Sequence, residues 1–388
     1  MSVRPGIERL LAGEAEHLRG LRLGLIHHPA SVTPSLSASS VELIARGFDL
    51  KALFGPQHGA HGEKQDNMVE SGHFHDAVTG LPTHSLYGDV RKPTPEMLEG
   101  LDALLFDLQD VGVRVYTFVW TMALAMEACA EVGVRFVVLD RPNPIGGRRE
   151  GPVLHPGFES FVGLHPIPLR HGLTCGELAR WLVRERGIEC DLEVVACEGW
   201  ERGMHWRDTG LPWVMPSPNL PTPDSCEVYP GMVLLEGTNL SEGRGTTRPF
   251  EIFGAPFLDP RALADVLRGG LGPGVALRPC HFEPTFQKHV GAVCGGGQLH
   301  VTDADAFQPV KAAVEILRAA RALGGDAFRW REPPYEYETE KLPIDILWGH
   351  AGLREGVDRG LTSDAILAEE TGALASFAAS VEDDLLYD

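Results

Sequence analysis

Two stretches hold most of the side chains that could do chemistry. FGPQHGAHGEKQDN (54–67) sets Gln57, His58, Glu63 and Asp66 after an apolar run, LKALFG, that reads as a strand. EGTNLSEGRGTTRPFE (236–251) gathers Glu236, Asn239, Glu242, Arg244, Arg248 and Glu251, interrupted by three glycines. Glycines let backbone approach a ligand closely, and arginines hold a carboxylate or phosphate in a fork. Two more apolar runs end in polar groups. DALLFDLQD (102–110) delivers Asp107, Gln109 and Asp110, then Arg114 and Tyr116; RFVVLD (135–140) delivers Asp140, then Arg141 and Asn143. Ligands of an open parallel sheet bind beyond the carboxyl ends of its strands, so these strand ends are expected to share one cleft. Acids, amides and guanidinium groups together suit a carbohydrate or a carboxylate. One Asp or Asn at a strand end is explained by a helix cap; three polar ends together favour a site.

Metal and nucleotide chemistry are less well served. His58, His61, His73 and His75 lie near Glu63 and Asp66, and zinc sites use such residues. Yet no helix with paired histidines is present, and Gly59 and Gly62 interrupt the stretch. A polar loop with surface histidines, and no metal, is expected. There is no G-x-G-x-x-G after the first strand and no G-x-x-x-x-G-K-[ST], so nothing places a dinucleotide or ATP, and no cofactor is expected.

The elements that must position these groups follow a rhythm. LRLGLI (21–26), LKALFG, DALLFDLQD, RFVVLD and DLEVVAC (191–197) read as strands, with helical spacing between them in SSVELIARG (39–47), TMALAMEACAEVG (121–133) and LTCGELARWLVRERG (173–187). Continuous apolar strands alternating with helices argue for a parallel sheet covered on both faces. Thr174 followed by Glu177 predicts a capping box. Near residue 215 the Pro-rich PSPNLPTPDS marks a boundary. Residues 1–215 are expected to form an α/β domain and 216–388 a smaller α+β domain. The latter should hold one helix capped by Thr302 or Asp303 and another starting at Thr362 or Ser363.

The bulk numbers exclude several partners. The 388 residues carry a formal net charge of −20, which disfavours nucleic acid and anionic membranes. The N-terminal MSVRPGIERLLAGEAEHLRG has no apolar core, so no signal peptide is visible and a cytoplasmic location is expected. No run reaches the ~18–20 apolar residues of a membrane span. Seven scattered cysteines without a CxxC pair suit reduced thiols. Oligomeric state is not legible.

Blocks along nearly the whole chain resemble one family. ALFGPQHG, LPTHSLYGDVRKPTPEML, FDLQDVGVRVYTF, VLDRPNPIGG, FVGLHPIPLRHGLTCGELA, DTGLPWVMPSPNLPT, EGTNLSEGRGTTRPFE and PTFQKHVGAVCGGGQLHVTD are similar, in order, to the exo-β-N-acetylmuramidases of the NamZ type, long catalogued as a domain of unknown function. The resemblance implies a Rossmann-like domain without nucleotide, a smaller C-terminal domain and a site between them. It also implies release of N-acetylmuramic acid from the non-reducing end of peptidoglycan fragments. Arg114, Arg141, Arg244 and Arg248 are then candidates for the lactyl carboxylate of muramic acid. Tyr116, Asp140, Asn143, Glu236 and Asn239 complete the expected binding set. One departure matters. The family's motif is P-E-H-G, whose Glu is the proposed catalytic residue, and here that place is Gln57. An amide cannot act as a general acid. Gln57 and His58 are therefore expected to position the substrate, with Glu63 as the replacement acid–base group and Asp110 or Glu150 as its partner; Glu70, Glu236 and Glu242 are further carboxylates to weigh. A non-catalytic muramyl-sugar binder and a hydrolase of a different glycoside stay open.

Overall fold

The computed structural model describes residues 2–57, 59, 62 and 72–388. Its first nine strands are β1 (Arg22–Ile26), β2 (Asp49–Gly55), β3 (Phe74–His75), β4 (Pro82–Ser85), β5 (Ala103–Phe106), β6 (Arg135–Leu139), β7 (Glu150–Val153), β8 (Pro168–Arg170) and β9 (Leu192–Val195). Seven of them form one sheet in the order β3-β4-β2-β1-β5-β6-β9, with β7 and β8 a separate antiparallel ribbon. All pairings in the large sheet are parallel except that of β3 with β4. The five strands expected from apolar runs are its five central and right-hand members.

Those runs are continuous because both faces are buried. Ile26, Phe54, Leu104, Phe106 and Val138 enter one core; Leu25, Leu53, Leu105, Val137 and Leu139 enter a second core on the opposite face. Alternate residues of a strand point to opposite sides, so apolar neighbours serve two layers. The helix Phe118–Val132 is buried along most of its length and ends at Gly133 in the left-handed region. The helix Cys175–Arg186 carries the expected capping box of Thr174 and Glu177.

The C-terminal domain holds an antiparallel sheet of β10 (Ile252–Ala255), β11 (Val275–Phe282) and β12 (Cys294–Val301), in the order β10-β12-β11. Its long helix runs Pro309–Gly324, later than a start at Thr302 or Asp303. Asp303 instead caps a turn by accepting from the Ala306 amide, and Pro309 occupies the first helical turn, where its missing N–H costs nothing. Thr362 does cap a helix, Ser363–Ala368, and a second helix follows over Thr371–Ser380. The tail then returns to the first sheet, where the Tyr387 hydroxyl donates to Asp140 at 2.6 Å. Among the described residues no helix is long and apolar enough to cross a membrane.

The helix Pro223–Met232 carries Tyr229 and leads into Glu236. It packs on Pro309–Gly324 at Gly231, where a Cβ would lie 1.9 Å from the Pro309 carbonyl oxygen. Gly231→Ala should therefore force the two helices apart. The expected cost is about 3 kcal/mol, at the upper end of overpacking effects, measured by urea unfolding.

Candidate active site

A polar cleft opens beyond the carboxyl end of β2. Gln57, Tyr116 and Thr117 line it from the first half of the chain; Ser217, Asn219, Tyr229, Glu236, Arg244, Phe250, Tyr335 and Glu336 line it from the second. Gln57 reaches the cleft because it follows β2 by two residues. Thr117 and Tyr116 stand where the chain turns from β5 into the helix Phe118–Val132. Tyr116 donates to the Pro216 carbonyl at 2.6 Å, and its ring meets Phe118 and Tyr229 edge-on.

One hydrogen-bonded relay crosses the cleft. The Thr117 hydroxyl donates to Gln57 Oε1 at 2.6 Å, Gln57 Nε2 donates to the Tyr87 hydroxyl at 3.1 Å, and that hydroxyl donates to Glu336 Oε2 at 3.1 Å. An amide at position 57 fixes the direction of this relay, because it offers Tyr87 a donor and leaves the phenolic proton for Glu336. Burial is the main reason the Glu336 carboxyl is raised to about 7. The nearby charge of Glu236 raises it further, while the Tyr87 bond, Arg244 and Arg91 pull the other way.

The second carboxylate is differently held. Glu236 accepts from Arg244 Nη2 at 2.7 Å and from the Tyr335 hydroxyl at 2.8 Å. Arg244 also faces Glu242 and lies over the Phe250 ring, and Lys288 donates to Glu242 at 2.9 Å. Lys288 and Arg244 hold the buried Glu242 carboxyl below its usual range against a large desolvation effect. Gly243, at φ +79°, makes the turn that aims Arg244 inward, and a Cβ there would meet the Ile252 carbonyl oxygen at 2.3 Å. The glycine thus serves a turn and a close chain-to-chain approach.

Glu336 sits on unusual backbone. Tyr335 and Glu338 exchange both backbone hydrogen bonds at 2.9 Å, which leaves Glu336 and Tyr337 as a two-residue turn. Both have positive φ, 44° and 69°. Tight hairpin turns of this kind favour Asn-Gly, since both centres are left-handed, and bulkier residues there store strain of ~1–3 kcal/mol each. Glu336 is held in a conformation that its type disfavours, with its carboxyl turned into the cleft.

The other expected site residues are placed elsewhere. Asp110 accepts from the Gly112 amide at 2.7 Å and faces His171. Glu150 accepts from the amides of Val310 and Lys311, at the start of the helix Pro309–Gly324. Asp140 accepts from Gly176 N as well as Tyr387, and burial raises its carboxyl to about 6. Arg141 forms a buried two-bond pair with Asp107 at 2.7 and 2.9 Å. Asn143 bonds Leu173 O and Ile145 N; Asn239 bonds Ala327 O and Arg329 N. Arg114 is fully buried and donates to the carbonyls of Leu347 and Trp348, and Arg248 pairs with Glu251. None of these eight lines the cleft. His58, Glu63 and Glu70 lie outside the described residues. Of the expected set, Gln57, Tyr116, Glu236 and Arg244 come together.

Among the described residues one trio has metal-capable side chains within reach of one another, His155, His350 and Glu370. The two rings stack at 4.2 Å, His350 Nε2 lies 2.9 Å from Glu370, and its Nδ1 accepts from the Gly352 amide. His73, from the histidine-rich stretch, accepts from the Ser85 amide.

Comparison with known proteins decides the family. The model of the N-terminal domain of the exo-β-N-acetylmuramidase NamZ matches residues 23–224, and that of its C-terminal domain matches residues 227–387. The chain belongs to the NamZ family. A relative in Bacillus subtilis (strain 168), a peptidoglycan β-N-acetylmuramidase NamZ, is 46% identical over 388 residues, covering 99% of this chain and 91% of its own. Two crystal structures of DUF1343 family proteins from Bacteroides fragilis are also similar. One has a TM-score of 0.89 at 35% identity, the other 0.80 at 28%; each comparison covers 100% of this chain and 99% of the relative. The resemblance read from sequence blocks and the α/β fold with a second domain are thereby established. Within this NamZ fold Thr117, Tyr335 and Glu336 are cleft residues that sequence reasoning missed, and Tyr87 is the buried phenol that links Gln57 to Glu336. Tyr87 lies in a block that resembles the family, whereas Glu336 lies in PPYEYETE (333–340), where an acid beside tyrosines in a Pro-rich break was the available signal.

Glu336→Asn should separate the strain from the chemistry. Asn tolerates left-handed backbone, so the variant is expected to unfold at the same or higher denaturant concentration than the wild type while losing its activity. A marked loss of stability would show that the carboxyl holds the turn together.

Proposed function

We propose that the protein hydrolyses N-acetylmuramic acid glycosides, releasing the sugar from the non-reducing end of peptidoglycan fragments, with Glu336 as the general acid. The observation that carries this reading is the relay that ends on Glu336. A glycosidic oxygen must be protonated as it leaves, and the acid for that step needs a raised pKa. A carboxyl raised to about 7, open to a cleft that also holds Glu236, meets that need. Glu236 supplies the second carboxylate of the pair that glycosidases use. Gln57 keeps a positioning role: its amide orients Tyr87 and stands ready to bond the acetamido group of the sugar. That acetamido group can itself act as nucleophile in some glycosidases, in which case one protein acid suffices. The family membership and the activity named for the Bacillus subtilis relative support the substrate class.

A second reading has one observation in its favour: an amide stands where the family's motif implies an acid, so the site binds muramyl sugars without cutting them. A chromogenic N-acetylmuramic acid glycoside separates the two. Turnover by wild type, reduced ~10²–10⁴-fold in Glu336→Gln, is expected. No wild-type turnover, with activity gained in Gln57→Glu, would establish the binder.

The pH profile gives a further test. The acid form of Glu336 is the active one, so kcat/KM should fall as pH rises through about 7. The Tyr87 hydroxyl stabilises the ionised carboxyl, so Tyr87→Phe should move this basic limb to higher pH. A purely structural role for Tyr87 would lower activity without moving the limb.

A further inference from the structure

The four arginines that sequence reasoning offers to a substrate carboxylate are all engaged by protein groups. Arg91, which lies over the ring of Tyr87, the phenol bonded to the cleft residues Gln57 and Glu336, is different. Its guanidinium carbon is 3.9 Å from the ring centre of Tyr337, 5.3 Å from that of Tyr87 and 5.2 Å from that of Phe161. Aromatic faces hold the plane of the group but leave its N–H edge unused. Nε and Nη2 of Arg91 are both out of contact with solvent, and neither has a hydrogen-bond partner among the described residues. These two atoms form the edge that binds a carboxylate side-on. Elsewhere in this chain the same edge holds Asp102 on Arg22, Asp107 on Arg141 and Asp345 on Arg354. A buried donor without a partner is costly, and two on one charged group call for an anion.

The neighbours say where that anion belongs. Tyr87 donates to Glu336, and Tyr337 follows Glu336 in the same turn. We infer that the Nε–Nη2 edge of Arg91 binds a carboxylate carried by the sugar in the cleft, the lactyl-ether carboxylate that distinguishes muramic acid from glucosamine. The inference rests on the substrate class proposed above. Tyr337 is 46% exposed, so it is the ring that gives way as the carboxylate enters. Binding would also cancel the positive charge that Arg91 presents to Glu336, leaving the acid better able to keep its proton until the glycosidic oxygen takes it.

Calorimetric titration of wild type, Arg91→Gln and Arg91→Lys with free N-acetylmuramic acid and free N-acetylglucosamine tests this. Wild type should prefer the muramic sugar. Arg91→Gln should weaken that sugar about 10- to 100-fold, the value of a charge-assisted two-bond contact, and leave N-acetylglucosamine unchanged. Arg91→Lys, which keeps the charge and loses the edge, should fall between. Equal affinity of Arg91→Gln and wild type for the muramic sugar, or no preference in wild type, overturns the assignment. Turnover measured in parallel keeps the two ideas apart. Sugar binding through Arg91 without wild-type turnover rejects the hydrolase and retains the carboxylate site. Turnover with an unchanged KM in Arg91→Gln does the reverse.

Discussion

A carboxyl group loses much of its reason to ionise when it is taken out of water, and Glu336 is in that position, beside the second carboxylate Glu236. Two acids in one cleft can serve different roles only if their surroundings differ. Here they do. Glu236 is bonded to a guanidinium and a phenol, whereas Glu336 has one phenolic donor and burial. The strained turn at 335–338, the Arg244 turn and the helix carrying Tyr229 all act to keep that difference in place.

The large sheet contributes by fixing β2 and β5 beside β1, so that Gln57 and Thr117 arrive within 2.6 Å of each other although 60 residues apart in the chain. The second half contributes the carboxylates. Neither half alone holds the whole relay, since its neighbouring members Tyr87 and Glu336 are separated by 249 residues. An amide at position 57 is consistent with this division. It cannot provide a proton, but it can decide which way the Tyr87 proton points.

The sheet was legible because its strands are buried on both faces and therefore read as unbroken apolar runs. The capping box at Thr174 was legible because both partners are local. Gln57, Glu236 and Arg244 stood out by residue type and by glycine-rich surroundings. Arg114, Arg141, Asp140 and Glu150 stood out equally, yet their partners are backbone carbonyls, a buried aspartate, a tyrosine near the C-terminus and helix amides. Residue type reveals the capacity to bond, and only the fold shows which partner uses it. Glu336 was hidden for the converse reason: nothing periodic marks PPYEYETE, and the burial that raises its carboxyl comes from residues distant in sequence.

Infrared difference titration of wild type against Glu336→Gln observes the central group without relying on any substrate. A protonated carboxyl signal that persists through mildly acidic pH and disappears around pH 7 is the expected result. A signal already lost near the ordinary value of 4.5 would show that Glu336 is ionised at neutral pH and cannot be the acid.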